Sequence, residues 1–436
     1  MTEPPVSHAK TGTVEAQLKN CTLAYGHSTQ TVSLSEIGTT LLTEHHQPTP
    51  TITEQQVIRR ALEAPVGMAR LSQLVRPGQR VAVVVSDITR PCPTARLLPP
   101  VLDELHSGGV TREGIRVVFA LGSHRCLTTD EQVKLVGEQV FEQVRCGDMG
   151  TGPFTELGQT RRGTPVQVFQ PVAEADWRVY VGNIEYHYFA GYTGGAKALL
   201  PGVCSHESIR ANHSWMVQDS AAAGRIEGNP VREDLEEAAR LAGPAFLLNV
   251  VLDGERRIVK AVSGDVTLAH RQGCRKVDDL YRVPLARRAD VVLASSGGWP
   301  KDINLYQAHK ALENAALAAR DGGIIILVAE CSEGIGHPLF AEWLTCGEPP
   351  EELLRRIKEN FVLGGHKAAA IAKTLRRGVR VFLVSALEPQ TVKLMSFVPF
   401  GSAQEALAAA YGQLGQDATL AVMPHAGSTL PAVVSH

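Results

Sequence analysis

The sequence predicts an α/β protein of two domains, with largely parallel sheets and the active site in the cleft between the domains. Three observations carry that expectation. Short apolar runs rich in Val and Ile recur along the 436 residues, helical stretches separate them, and chemically active side chains stand directly after several runs. Runs of four to six apolar residues without polar alternation suit strands buried on both faces, as in parallel sheets covered by helices.

In chain order, VAVVV (81–85) precedes Ser-Asp-Ile-Thr-Arg, RVVFAL (116–121) precedes Gly-Ser-His-Arg, and RVYVGN (178–183) precedes Ile-Glu-Tyr-His. Later runs are VVLAS (291–295), IIILVA (324–329), VFLVS (381–385) and LAVM (420–423). ARLLPPVLDELHSGG (95–109) and NAALAARDGG (314–323) read as helices closed by glycine. Residues 270–290 are charge-rich with no strong strand, and a fresh β/α series starts at Asp290. The expected organisation is a flexible leader over 1–15, an N-terminal α/β domain over 16–275 and a C-terminal α/β domain over 276–418. The last segment, 419–436, is expected to return to the first domain.

Hydrophobic residues make up 44% and charged residues 20%, an ordinary globular balance. Lys and Arg total 43 against 45 Asp and Glu, a net charge of −2, which removes the electrostatic case for nucleic acid or an anionic membrane. No apolar run approaches the ~18–20 residues that span a bilayer, and MTEPPVSHAKTGTVEAQ at the start lacks the apolar core of a secretory signal. Eight cysteines without a C-x-x-C pair are too sparse for a disulfide scaffold, so a reduced, cytoplasmic chain is expected.

Asp87 and Arg90 follow the first of these strands, His124 the second and His187 the third. In open α/β sheets, ligands bind outside the carboxyl ends of strands near a topological switch point, so these exits predict a cleft. Loop polarity alone is the plain alternative. The richest stretch is EYHYFAGYTGGAKALLPGVCSHESIRANHSWM, 185–216. It is not a phosphate loop of the G-x-x-x-x-G-K-[ST] type, because Ala196 stands for the second glycine and Ala198 for the hydroxyl residue. Gly194 and Gly195 let the backbone approach a ligand and present Lys197. Apolar neighbours would desolvate that lysine, lower its pKa and make it a nucleophile or attachment point. A bare Gly-Gly-Ala-Lys also suits a surface lysine. His187, His206 and His213 lack zinc-site spacing. SHESIRANH reads as a helix starting at Ser205 or His206, with His213 on its later turns. In GGWPKDINLYQAHKAL (297–312), Asn304, Gln307 and Lys310 share a helical face and Asp302 is a candidate cap. That stripe is either a carboxylate clamp or a solvated helix face.

Taken together, SDITRP (86–91), GSHR (122–125), EYHYFAGYTGGAKALLPG (185–202), Asn-His at 212–213 and GGWPKDINLYQAHK (297–310) resemble the nickel-dependent lactate racemase family, in order and in spacing. The resemblance covers the chain after about residue 20. It implies a racemase or epimerase that inverts C2 of a 2-hydroxy acid, lactate or a bulkier relative. The reaction is proton-coupled hydride transfer to and from a nickel-pincer nucleotide (pyridinium-3-thioamide-5-thiocarboxylic acid mononucleotide with Ni(II)). Lys197 then resembles the lysine joined to that cofactor beside Gly194 and Gly195, and His213 the protein ligand to nickel. His124 and His187 resemble the acid/base pair, one for each hydroxyl orientation, with Asp87 the carboxylate beside them. Arg90, Gln307 and Lys310 resemble contacts to the substrate. The implied partners are a small 2-hydroxy acid and separate maturation proteins that supply the cofactor, with no nucleic acid and no membrane. Trp299, Tyr306, Tyr188 and Tyr192 stand where they would reshape the pocket. Two other readings stand beside this one: a cofactor-free hydroxy-acid lyase or isomerase using Lys197, and a non-catalytic hydroxy-acid or nucleotide binder.

Overall fold

The computed structural model describes residues 20–34, 40–42, 52–150, 152–362 and 364–433, and the leader expected over 1–15 lies outside them. The apolar runs become strands as expected, because the residues in each are buried on both faces: all five of 81–85 are buried, as are six of seven in Trp177–Asn183. The chain divides into two units, one over Gln47–Leu280 and one made of Tyr281–His436 with the N-terminal stretch up to His46.

The Gln47–Leu280 unit is built on a six-stranded sheet. Its order is Ile258–Gly264, Ala245–Leu252, Trp177–Asn183, Val81–Ser86, Ile115–Ala120 and Arg145–Asp148. Five strands are parallel and Ile258–Gly264 closes one edge antiparallel. Val81–Ser86 is first in the chain and central in space. Ile115–Ala120 and Arg145–Asp148 follow to one side, Trp177–Asn183 and Ala245–Leu252 to the other. The winding therefore reverses between Val81–Ser86 and Trp177–Asn183, which is the switch point where a doubly wound sheet opens a crevice.

The other unit repeats the principle with a wholly parallel sheet. Its order is Val398–Phe400, Arg380–Val384, Ala319–Val328, Ala289–Ser295, Leu420–Met423 and Thr40–Leu42. Its switch point lies between Ala289–Ser295 and Leu420–Met423, so the loop from Ser296 to Asn304 leaves from the crevice end.

Three expectations about organisation are corrected. Of the segment 419–436, expected to return to the first domain, Leu420–Met423 instead pairs with Ala289–Ser295, and Leu430–Val433 with Arg282–Leu285. Nor do residues from 16 onward all belong to the N-terminal domain. The hairpin Asn20–Tyr25/Ser28–Ser33 buries alternate residues, and Cys21, Leu23 and Val32 share one apolar cluster with Val291, Leu293, Ile324 and Ile326 of the second sheet. The boundary expected at 275/276 falls inside the helix Val266–Tyr281, whose buried face of His270, Cys274, Val277 and Leu280 belongs to the first unit. A smaller correction concerns 314–323. The helix Leu305–Ala318 ends before the glycines, and Gly322, with φ at 73°, serves an irregularity at the start of the strand Ala319–Val328.

No disulfide is formed among the described residues. No helix among the described residues is long and apolar enough to cross a membrane.

Candidate active site

Three adjacent strands of the sheet deliver four of the expected residues, Asp87 and Arg90 after Val81–Ser86, His124 after Ile115–Ala120 and His187 after Trp177–Asn183. Asp87 follows Val81–Ser86 directly and is buried. Its Oδ1 accepts the Thr89 hydroxyl at 2.7 Å, and its Oδ2 lies 2.6 Å from His124 Nδ1. Burial pushes this carboxyl up, but the bonds from His124 and Thr89 and the charge of Arg90 outweigh it and hold it below its usual range. With Asp87 ionised, His124 donates from Nδ1 and keeps Nε2 as its basic nitrogen. The His124 side chain is half exposed. Arg90 Nη1 lies 3.5 Å from Glu185 Oε1, a carboxylate just past the neighbouring strand Trp177–Asn183.

His187 sits in a two-residue ladder, Tyr186–His187 against Gly191–Tyr192. The Ala190 amide donates to its Nδ1 at 3.3 Å, which places the ring proton on Nε2. The two histidines are thus held in opposite neutral tautomers, His124 with Nε2 as the proton acceptor and His187 with its ring proton on Nε2.

Lys197 lies in the short 3-10 turn Gly195–Ala198 and is buried, 8% exposed, so the surface-loop reading is set aside. Burial first, then the charges of Arg90 and Arg232, hold its amine well below the usual lysine range. Its Nζ lies 5.5 Å from the Phe189 ring centroid, and no hydrogen-bond or ion-pair partner for it is found among the described residues. Phe189 is the meeting point: His187 packs on it at 4.5 Å between ring centroids and His213 at 4.9 Å, both edge to face. Lys197, His187 and His213 therefore border one phenyl ring.

Gly194 and Gly195 have φ of 71° and 61°. A Cβ on Gly194 would come within 2.4 Å of Asn249 Oδ1, and one on Gly195 within 2.8 Å of the His270 ring. What these glycines approach closely is protein. Asn249 accepts the Gly195 amide at 2.8 Å, and His270 Nε2 lies 2.8 Å from the Thr193 carbonyl oxygen. His213 is in the last turn of the helix His206–Ser214, which Ser205 caps, as its sequence suggested.

The helix Pro230–Leu241 braces this loop. Its cap Asn229 donates to the Phe189 carbonyl at 2.9 Å. The fully buried Arg232 donates to the carbonyls of Ala190, at 3.1 Å, Tyr192 and Gly194. Phe189, Arg232, Asn249 and His270 escaped the reading of the sequence. Asn-Pro at 229–230 was a legible helix start, but nothing in the sequence shows what the residues two turns around it would touch.

In the other unit the helix Leu305–Ala318 carries Gln307 and Lys310 on its exposed side. Asn304 is not part of their stripe: it is the N-cap, its side chain accepting the Gln307 amide at 3.0 Å. Asp302, the expected cap, is buried instead, and accepts the amides of Gly26 at 2.7 Å and Glu330 at 3.1 Å. Asn304→Ala is expected to lower stability by about 1 kcal/mol, read as a fall in the midpoint of thermal or urea unfolding. Of the aromatic residues expected in the pocket, Tyr192 is buried with its hydroxyl 2.7 Å from Asp278, and Trp299 is exposed and stacked on His27. Tyr188 stacks on His187, and Tyr306 lies under the Lys367 ammonium.

A doubly wound α/β scaffold with an oriented histidine–carboxylate pair at its strand exits, and a buried amine and two histidines around one phenyl ring, has the make-up of an enzyme. Residues 25–224 match the family model of the lactate racemase N-terminal domain, and 285–430 that of the lactate racemase C-terminal domain. The chain belongs to the lactate racemase family and is an isomerase of the racemase class. It is 33% identical to the lactate racemase of Thermoanaerobacterium thermosaccharolyticum over 87% of this chain and 91% of that one. With the lactate racemase of Lactiplantibacillus plantarum it shares 32% over 86% and 90%. The structure of the Thermoanaerobacterium lactate racemase apoprotein superposes with a TM-score of 0.87 at 32% identity, covering 95% of this chain and all of that one. A Thermotoga maritima protein, 16% identical with a TM-score of 0.62 over 89% of this chain and all of that one, shares the fold.

Proposed function

We propose that the protein inverts the C2 centre of a small 2-hydroxy acid, lactate or a bulkier relative, using a nickel-pincer nucleotide joined to Lys197. The observation that carries this reading is the buried, unpartnered amine of Lys197 bordering the same phenyl ring as His187 and His213. The residues suit such a group. An amine kept from charging by burial is a nucleophile and a fit attachment point. Among the described residues no group of three or more His, Cys, Asp or Glu side chains is set to hold a metal ion, so a metal at His213 takes its other ligands from a bound group. Imidazole together with soft sulfur donors suits nickel. Gly194 and Gly195 would serve that group by holding the backbone before Lys197 in its positive-φ course.

When bound, the nucleotide supplies an electron-pair acceptor for the C2 hydrogen, taken up and given back without a second substrate. The chain's own residues do the rest. Arg90 binds the substrate carboxylate, exchanging the longer contact to Glu185 for a charge-assisted pair. Gln307 and Lys310 add polar contacts to the substrate. His124, its Nδ1 proton held by Asp87, takes the hydroxyl proton of one enantiomer at Nε2. His187, entering as the imidazolium with the 3.3 Å contact from the Ala190 amide to Nδ1 given up, returns a proton from Nε2 to the hydroxyl formed on the opposite face. After each inversion the protonation of the pair is reversed, which readies the site for the other enantiomer. Eight cysteines with no disulfide among the described residues fit a cytoplasmic location, where separate maturation proteins would load the cofactor.

The test begins with peptide mass spectrometry on chain produced with nickel and the maturation proteins. A nucleotide adduct on the peptide containing Lys197 and about one nickel per chain are expected. The loaded protein is then given single enantiomers of 2-hydroxy acids in D2O. Racemisation with C2 keeping its protium is expected, because the hydrogen leaves and returns with its electron pair. Deuterium at C2 would instead mark proton abstraction by a cofactor-free isomerase, and an unmodified Lys197 beside a correctly loaded sister racemase would remove the reading altogether.

A further inference from the structure

The buried carboxylate of Asp234 is used by nothing described so far. It lies on the helix Pro230–Leu241 and is fully inaccessible. Its Oδ1 accepts the Thr160 hydroxyl, and its Oδ2 accepts the Thr164 hydroxyl at 2.7 Å and the Asn212 amide at 2.8 Å. Every partner is neutral, and among the described residues no lysine or arginine forms an ion pair with it. A buried charge of this kind is costly to desolvate and strongly polarises whatever it is bonded to.

Asn212 passes that polarisation on. Its second amide contact is to the Val231 carbonyl at 3.2 Å, so both donors of the carboxamide are committed and its oxygen is oriented. That oxygen lies 3.2 Å from His213 Nδ1. An amide oxygen can only accept, so the proton sits on Nδ1 and Nε2 is the nitrogen with a lone pair for a metal. Metal-bound histidines are commonly oriented through a hydrogen bond on the other ring nitrogen, and here the bond is backed by a carboxylate one residue removed.

We infer that Asp234, acting through Asn212, is a positioning residue that fixes the tautomer and orientation of His213 for nickel. The inference rests on His213 being the protein ligand. Neighbouring threonines and the loop 160–164 hold the carboxylate in place, so the arrangement is built before any cofactor arrives.

The test uses the loaded enzyme and reads nickel, not turnover. Parent, Asp234→Asn, Asn212→Ala, His213→Ala and the Asp234→Asn/His213→Ala double variant are loaded together. The Lys197 adduct is measured by peptide mass spectrometry and nickel per chain is followed in excess EDTA. The adduct is expected in all five. Nickel should leave Asp234→Asn and Asn212→Ala about 10–100-fold faster than the parent, the usual size of an outer-shell effect. The double variant should lose nickel no faster than His213→Ala, since Asp234 acts only through that ring. Parent-like retention in Asp234→Asn or Asn212→Ala, with rapid loss from His213→Ala, overturns the inference while leaving the ligand assignment standing. Extra loss in the double variant also overturns it, by showing a general structural effect. Parent-like retention in His213→Ala removes the ligand assignment itself, and this inference with it. Should Asp234→Asn fail to fold, Asn212→Ala decides the matter alone.

Discussion

Lys197→Ala is expected to yield a folded chain with no nucleotide adduct, background nickel and racemisation reduced by about 10^4-fold or more, the scale on which losing a covalent catalytic group acts. Lys197→Arg should be equally inactive, because a guanidinium stays charged and is no nucleophile. The effect on stability has the opposite sign. The Lys197 amine is held below its usual value of 10.5, mainly by burial. The unfolded chain therefore binds the proton more readily than the fold does. The penalty is absent above the usual lysine value and grows as pH falls toward the lowered value in the fold. Lys197→Ala should accordingly be no less stable than the unloaded parent at pH 7 and should lose the parent's gain in unfolding midpoint between pH 7 and 10. A variant that loses activity together with several degrees of melting temperature would point to a structural lysine instead.

His124→Asn and His187→Asn are expected to be impaired in racemisation by about 10^2–10^4-fold each, the range for a general acid–base group. Their value lies in an asymmetry. Each histidine serves one hydroxyl orientation, so each loaded variant should still convert one enantiomer, once, to bound 2-keto acid. The two variants should accept opposite enantiomers. Rapid quench of stoichiometric enzyme with each enantiomer, followed by assay of 2-keto acid, reads this directly. Equal yields from both enantiomers in either variant would show that the histidines do not divide the two faces between them. Asp87 links this to geometry already present, since His124 owes its Nδ1 proton to that carboxylate.

The strand exits were legible in the sequence because they depend on neighbours in the chain. A buried run such as 81–85 must end, and Asp87 and Arg90 stand where it ends whatever the strand pairs with. Lys197 was legible only as a question. The same Gly-Gly-Ala-Lys is a surface loop or a buried amine depending on Phe189 and on Arg232, which lies 35 positions further along the chain. The resemblance to a family then supplied roles that residue types alone left open.

Strand positions, the polar exits, the helix start at Ser205 and the reaction class were all readable from local pattern and motif order. The tertiary structure decided the rest. It put Val81–Ser86 at the centre of its sheet, with the switch point beside Trp177–Asn183. It sent the hairpin Asn20–Tyr25/Ser28–Ser33 to the second sheet, and it brought Asn212 and Asp234 together behind His213. Local pattern fixes which residues must be buried or hydrogen-bonded, because burial and backbone geometry act within a few residues. It does not say which distant partner satisfies them, since many pairings would bury the same area, and only the packed fold selects one.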